Sequence, residues 1–392
     1  MDRPNKFELS PQTGFLCDPA GQELFELLES SGHQIFFVGG CVRNAVMGLG
    51  QSDIDVSTSA EPQEVIKLAK LKGMRVIPTG IDYGTVTLIV QGKSFEITTF
   101  RKDVATDGRR AVVEFSADIA EDAARRDFTM NALYVDRHGV LHDPLGGLSD
   151  ALERRVRFIQ DPDQRIREDY LRILRFFRFS AYYADDIDCN GWDSESLTAI
   201  ASNLDGLEKL SMERVGAETL NLLSAPDPVQ SLAVMETVGV LQRILPGAKA
   251  DFVGPFVHLE TMMGAQPDPI ARLAALGGFE LDKHLRLSRS QNKKLKEISE
   301  YSVSTLGPKA IGYLCGPGKG LSTLMLRAVM SDQSLSIDAN YLIEEGSLAT
   351  FPIFASDLPS LSGPSLGQRL KLLKSTWLAT ELKKSKEELL KQ

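Results

Sequence analysis

The sequence predicts a mixed α/β unit with a small sheet up to about residue 147, followed by an all-helical remainder. Three observations lead there. Phe36 to Thr58 reads as a strand, a glycine turn, a short helix and a second strand carrying two aspartates. Thr85 to Val90 and Ser94 to Phe100 alternate apolar and polar residues about Gln91-Gly92-Lys93, the pattern of a hairpin. After Gly147 no convincing strand run occurs, and Pro and Gly punctuate helix-length segments at Pro226 to Pro228, Pro246-Gly247, Pro267 to Pro269 and Gly316 to Gly320.

Taken in order, residues 18 to 32 are expected to form an amphipathic helix with Leu24, Phe25, Leu27 and Leu28 inward and Gly32 at its end. Phe36 to Val38 is a buried strand, and Glu61 to Lys72 a helix with Pro62 in its first turn. Thr106 to Arg110 is polar and contains glycine, which predicts a mobile loop. Asp118 to Arg125 is expected to be helical, and Arg125 to Asn131 to open another helix. A short hairpin about His138-Gly139 and the turn Asp143-Pro144-Leu145-Gly146-Gly147 close the unit. The charged stretch Lys383 to Gln392 is expected to fray.

Composition narrows the function. At 392 residues the chain holds two or more compact units, and its 43% hydrophobic and 25% charged residues are those of a soluble protein. No apolar run reaches the length of a membrane span, and MDRPNKFELS lacks a basic-then-apolar signal, so the cytoplasm is the expected compartment. Cys17, Cys41, Cys189 and Cys315 lack pairing or metal spacing and are expected to be free thiols. A net charge of -9 argues against nonspecific nucleic-acid binding, so an RNA partner would be held by local basic patches.

Two constellations carry chemistry. In the first, Gly39 and Gly40 follow a strand, where absence of a Cβ lets backbone N–H groups approach an anion, and Arg43 lies about one helical turn on. Asp53 and Asp55 flank Ile54, so in a strand both carboxylates share a face while Ile54 and Val56 point inward. Two hard oxygen ligands suit Mg²⁺ together with substrate phosphates, and a phosphate cradle facing a two-carboxylate site is the layout of nucleotidyl transfer. Glu96 is either a third carboxylate beside them or a solvent-facing strand residue.

In the second, Arg154 to Arg178 holds eight arginines and no lysine. Asp169, Arg172, Arg175 and Arg178 recur every three residues, which on one helix gives a stripe drifting by about 60° per step. Arginine suits forked hydrogen bonding to bases or phosphates better than lysine. Cytosine and adenine both show an amino donor beside a ring-nitrogen acceptor. A carboxylate accepts from the first and a guanidinium donates to the second. Uracil and guanine show the opposite order and would leave groups unpaired, at about 1–3 kcal/mol each. Asp169 and Arg172 therefore have the chemistry to select C and A without a template.

GGCVRN, SDIDVST, EITTF, RRDFTMNAL, DPLGG and REDYLRILRFFRF, within residues 34 to 180, closely resemble the blocks of the class II tRNA nucleotidyltransferase and poly(A) polymerase family. The resemblance is strongest to bacterial CCA-adding enzymes. It implies a polymerase-β-like nucleotidyltransferase head (34–147) after an N-terminal extension and helix (1–33), then a helical neck (148–200) and a helical body and tail (201–392) that bind tRNA. It implies Mg²⁺ on Asp53 and Asp55, with Glu96 at the metal site as the third catalytic carboxylate. Gly39, Gly40 and Arg43 would bind triphosphate, Arg126 would contact nucleotide, and Asp169 and Arg172 would select the base, with Arg175 and Arg178 in the same pocket. The implied reaction adds CMP, CMP and AMP to the tRNA 3′ end from CTP and ATP. A poly(A) polymerase and a CC- or A-adding enzyme share these blocks; an inert RNA-binding homologue is disfavoured because both aspartates are present.

Asn44 stands where VRD is more usual, and Met130 replaces an isoleucine; the first departure puts the local support of Arg43 in question. His142-Asp143 lies at the DPLGG turn without helical histidine partners, so it reads as structural and no phosphohydrolase activity is expected. Lys283 to Lys296 has six Lys or Arg and no acid, and reads equally as a grip on tRNA phosphates or a solvated face. Ser365-Leu366-Gly367 reads as a helix start, where capping or a phosphate would use the free N–H groups.

Overall fold

The computed structural model describes residues 7–50, 52–107, 110–184 and 192–391. It separates into two compact units, Met1–Leu210 and Ser211–Gln392.

The first unit is built on a mixed sheet. Helix α1 (Pro19–Glu29) is capped by Asp18 and buries Leu24, Phe25, Leu27 and Leu28. Strand β1 (Ile35–Val38) is buried throughout and leads through Gly39 into α2 (Gly40–Val46). Then come β2 (Asp55–Thr58), α3 (Pro62–Leu71), β3 (Arg75–Gly80), β4 (Thr85–Val90) and β5 (Lys93–Thr99). Strands β6 (Arg101–Asp107) and β7 (Arg110–Phe115) form a separate ribbon, followed by α4 (Ile119–Ala124), β8 (Tyr134–Val135), β9 (Leu141–His142) and α5 (Gly147–Leu152).

The seven-stranded sheet has the order β3-β4-β5-β2-β1-β8-β9. Only the β2–β5 pair runs parallel, and its register sets Asp55 beside Glu96. Antiparallel β1–β2 pairing sets Val38 beside Asp55, so the glycine turn after Val38 opens next to the aspartate. Rings of α1 pack beneath: Phe25 lies 4.3 Å from Phe37 between centroids. A core of Phe36, Val38, Phe100, Tyr134 and Ile159 joins β1 to the elements that follow the ribbon.

Four expectations about local structure need correction: Lys383 to Gln392 does not simply fray but holds a capped helix, Lys386–Leu390, with Leu389 buried, and the other three lie in the first unit. Thr106 to Arg110 is no open loop: both strands of the β6–β7 ribbon reach into it, and residues 108 and 109 lie outside the described residues. Arg125 to Asn131 opens no α-helix but only a single turn at Thr129–Asn131. Local groups are satisfied in another way there. The Asp127 carboxylate accepts the Phe128 N–H and the Asn131 amide, and the Arg165 guanidinium donates to the carbonyls of Arg125 and Arg126. Last, the arginine stripe is not one helix. Helix α6 (Pro162–Glu168) ends at Asp169, whose backbone is extended at φ -155°, ψ 103°, and α7 (Leu171–Tyr183) begins afresh. The Asp169 carboxylate accepts the Leu171 N–H at 3.1 Å and so starts the new helix while breaking the old one. The unit ends with α8 (Ser194–Ser202) and a 3-10 helix, Leu204–Lys209.

The second unit contains only helices and turns among its described residues. Arg272 is buried against Glu260 at 2.7 Å and donates to the carbonyls of Leu223 and Ala225, tying three segments together. The helix Gly363–Ala379 starts where Ser365-Leu366-Gly367 suggests, and its Trp377 packs on Tyr313 and Phe351. Among the described residues no helix is long and apolar enough to cross a membrane. Cys17, Cys41 and Cys315 are free thiols, and Cys189 lies outside the described residues.

Candidate active site

One cavity of about 460 Å³ in the first unit is lined by Gly39, Gly40, Arg43, Asp55, Arg126, Asp127, Asn131, Asp169, Arg172, Arg175, Arg178, Phe179 and Tyr183. Eight of the residues singled out from the sequence thus share one space with Asp55; Asp53 and Glu96 are not among its lining, although Asp53 lies two residues before Asp55 and Glu96 beside it in register.

Gly39 has φ +70° and ψ -128°, a region that residues with a side chain avoid. A Cβ there would lie 3.6 Å from Arg126 Nη1 and 3.8 Å from Asp55 Oδ2, so the missing side chain keeps the floor of the cavity open. Asp53 is exposed and precedes β2, which begins at Asp55. Val56 is buried as expected, whereas Ile54 is only half-buried and faces a different cavity; β2 begins at Asp55 and buries Val56, Ser57 and Thr58 alike, so it does not alternate as the sequence suggests. Burial pushes the Asp55 carboxyl above its ordinary pKa; Glu96 raises it further, Arg126 opposes this, and Asp53 adds to the rise. That crowding of negative charge is what a bound cation relieves. Among the described residues no three Asp, Glu, His or Cys side chains converge as a complete metal cage. Two carboxylates that leave positions for substrate oxygens fit the habits of Mg²⁺.

Arg43 is 5% exposed and makes four hydrogen bonds. It donates to Asn44 Oδ1 from Nε and Nη2 (3.2 and 2.9 Å), to Asn131 Oδ1 (2.6 Å) and to the Tyr183 hydroxyl (2.6 Å). Asn44 therefore supports Arg43 through its amide oxygen, which answers the question raised by its departure from VRD. Arg126 donates to Tyr134, Ser57 and Asp122, at 3.1, 3.2 and 3.1 Å. Arg175 pairs with Asp127 at 2.5 Å. Burial alone would raise the Asp127 carboxyl, but Arg175 and Asn131 outweigh it and hold the group well below the usual carboxylate range.

Arg172 is held from behind. Its Nη1 donates to Glu168 Oε2 at 2.7 Å and to the Arg165 carbonyl at 2.8 Å, and Nη2 to the Arg125 carbonyl at 3.3 Å. Arg165 bonds the same Glu168 carboxylate. The sequence reading missed Glu168, although its spacing, three residues after Arg165 and four before Arg172, is that of helical ion pairs. It also missed Asn131 and Tyr183, which lie 88 and 140 residues from Arg43 and leave no local signal. Arg178 stacks on Phe179 at 4.6 Å.

Outside the cavity, the Asp143 carboxylate accepts the N–H groups of Gly147 and Leu148 and caps α5, and His142 Nε2 lies 3.5 Å from Asp136. In the second unit, the stretch Lys283 to Lys296 is largely self-neutralised. Lys283 bonds Glu280, Arg286 lies 3.5 Å from Glu213, Lys293 3.9 Å from Glu297, and Lys294 2.5 Å from Asp268.

A sheet that sets clustered carboxylates beside a glycine turn, with an arginine-lined cavity and a helical remainder, defines a nucleotidyltransferase of the polymerase-β-like type. Residues 35–157 match the family model described as "Poly A polymerase head domain", and 193–252 that described as "Probable RNA and SrmB- binding site of polymerase A". The chain is 30% identical to the mitochondrial CCA tRNA nucleotidyltransferase 1 of Mus musculus, over 97% of this chain and 91% of that one. It is 38% identical to the CCA-adding enzyme of Levilactobacillus brevis over 66% of this chain and 64% of that one. Its fold matches the crystal structure of the Bacillus stearothermophilus CCA-adding enzyme in complex with CTP, with TM-score 0.75 and 25% identity over 95% of this chain and 98% of that one. The chain belongs to the tRNA nucleotidyltransferase and poly(A) polymerase family.

Proposed function

We propose that this chain is a CCA-adding nucleotidyltransferase, which joins CMP, CMP and AMP to the 3′ end of tRNA from CTP and ATP and releases pyrophosphate. The observation that carries this is the shared cavity, lined at once by Gly39, Gly40 and Arg43, by Asp55, and by Asp169 and Arg172.

In this reading Asp53 and Asp55, with Glu96 alongside, hold Mg²⁺ at the edge of the cavity. When bound, the ion supplies positive charge that acidifies the RNA 3′-hydroxyl and steadies the pyrophosphate leaving group. The protein's own groups do the remainder. The amides of Gly39 and Gly40 and the guanidinium of Arg43 balance triphosphate charge, and Arg126 contacts the nucleotide. The Asp169 carboxylate accepts the amino group of C or A, and Arg172 donates to the ring nitrogen; Glu168 keeps that guanidinium from swinging away. Arg175 and Arg178 line the rest of the nucleotide's seat. No side chain acts as nucleophile.

For the layout we propose an N-terminal extension and helix to 33, a head from 34 to 147, a neck to 200 and a tRNA-binding body and tail beyond. The matched head model (35–157) and the compact-unit boundary after Leu210 support it approximately. The cytoplasm is our proposed compartment, supported by the free thiols, which persist under reducing conditions.

The test is extension of a tRNA lacking CCA, with CTP, ATP, UTP and GTP offered singly and then together. CTP alone should add two residues, and CTP with ATP should complete three and stop. Long tails of A on generic RNA would instead identify a poly(A) polymerase, and addition that halts at CC or needs CC already present would identify a partial enzyme. Asp53→Ala should lose transfer by several orders of magnitude; activity equal to the parent's would remove the metal assignment.

A further inference from the structure

Asp127, Asn131, Phe179 and Tyr183 line the cavity without a role in the proposed nucleotide seat, and Tyr183 is the one that touches Arg43 through both its hydroxyl and its ring. Tyr183 is the last residue of α7, and Arg172, Arg175 and Arg178 lie on the same helix. Eleven residues at about 1.5 Å each separate Arg172 from Tyr183, roughly 16 Å of helix. Helix α7 thus lines the cavity both at Arg172, the proposed base reader, and at Tyr183, which touches Arg43.

There Tyr183 holds Arg43 in two ways. Its hydroxyl accepts from Nη2 at 2.6 Å, and its ring lies under the guanidinium, 3.9 Å from the centroid. The Phe179 ring, one turn earlier, lies 5.2 Å from the same guanidinium. All of Arg43's hydrogen-bond acceptors are neutral: the amide oxygens of Asn44 and Asn131 and this hydroxyl. Among the described residues no carboxylate lies within ion-pairing distance of Arg43; the Asp127 charge acts only at longer range. A chain with Asp at position 44 would place a carboxylate against this guanidinium. Here the cation is aimed and flattened without being neutralised.

We propose that Tyr183 is a positioning residue for triphosphate binding, which fixes the Arg43 guanidinium toward the nucleotide's phosphates and makes α7 serve both ends of the nucleotide. The proposal rests on the reading of Arg43 as the triphosphate ligand.

The test measures C addition to tRNA, with inorganic tripolyphosphate and cytidine as competitors of CTP. Parent, Arg43→Ala, Tyr183→Phe and Tyr183→Leu are compared, each with its melting temperature. In Tyr183→Phe the ring stays and the hydroxyl goes. KM should rise by the same factor for CTP and ATP, about ten- to a hundredfold for one charge-assisted bond. Tripolyphosphate inhibition should weaken by that factor, while cytidine inhibition, kcat and rejection of UTP hold. Tyr183→Leu, without the ring, should lose more. Unchanged tripolyphosphate inhibition in both Tyr183 variants, while Arg43→Ala abolishes it, would overturn the role of Tyr183 alone. Unchanged inhibition in Arg43→Ala would remove the triphosphate reading beneath it. Equal weakening of tripolyphosphate and cytidine would mark a general loss of shape and also contradict the proposal.

Discussion

Arg43 and Arg175 line the same cavity, yet one is held by neutral oxygens and the other by the Asp127 carboxylate. In the proposed reading they differ accordingly: Arg43 would offer net charge to a ligand, while Arg175 is ion-paired to Asp127 within the fold. Asp127 has the lower-than-ordinary pKa, so it contributes stability while ionised, above its unfolded value of about 4. That contribution is lost as pH falls through and below this value. Asp127→Asn should therefore cost about 2–3 kcal/mol at pH 7, the worth of a charge-assisted bond. Denaturant unfolding should show the gap to the parent closing below about pH 4. A gap independent of pH would mean that shape, not charge, is what Asp127 supplies. Asp55, Asp169 and the arginines lining the cavity stood out by residue type and spacing, whereas the supporting carboxylates Asp127 and Glu168 did not. The neutral partners did not either, because an asparagine or tyrosine brought in from 88 or 140 residues away carries no local pattern.

At the scale of elements, the strands and the hairpin of the head followed from alternation and turn residues, and α1 and α3 from apolar period and capping. The break between α6 and α7 was missed, since an every-third-residue charge pattern continues across it while Asp169 leaves the helix. Asp is a good helix starter, and that preference prevailed over the propensity of its neighbours. The break has a use: it turns Asp169 into the cavity from a joint instead of from a helix flank. The DPLGG turn gains a reason as well. A Cβ on Gly147 would meet the Thr129 carbonyl oxygen at 2.2 Å, so α5 is pressed against the turn that follows Arg126 and Asp127. Gly147→Ala should force backbone apart and cost about 2 kcal/mol or more by calorimetry, through overpacking. Stability equal to the parent's would show that this contact yields easily.

At the scale of the molecule, the division into an α/β head and a helical remainder was legible from where strand patterns stop, and the two compact units agree with it in kind. The grip on RNA was not. With a net charge of -9, the one acid-free cationic stretch finds acidic partners from elsewhere in the chain, which a linear reading cannot see. The proposed selection of substrate rests on the cavity of the first unit, where the arginines and the joint at Asp169 meet. The most direct measurement is a crystal structure of this chain with CTP and Mg²⁺. It should place the cytosine amino group on the Asp169 carboxylate, its ring nitrogen on Arg172, the triphosphate on Arg43 and the ion between Asp53 and Asp55. A cytosine seated away from α7, or an ion bound away from the two aspartates, would contradict the account.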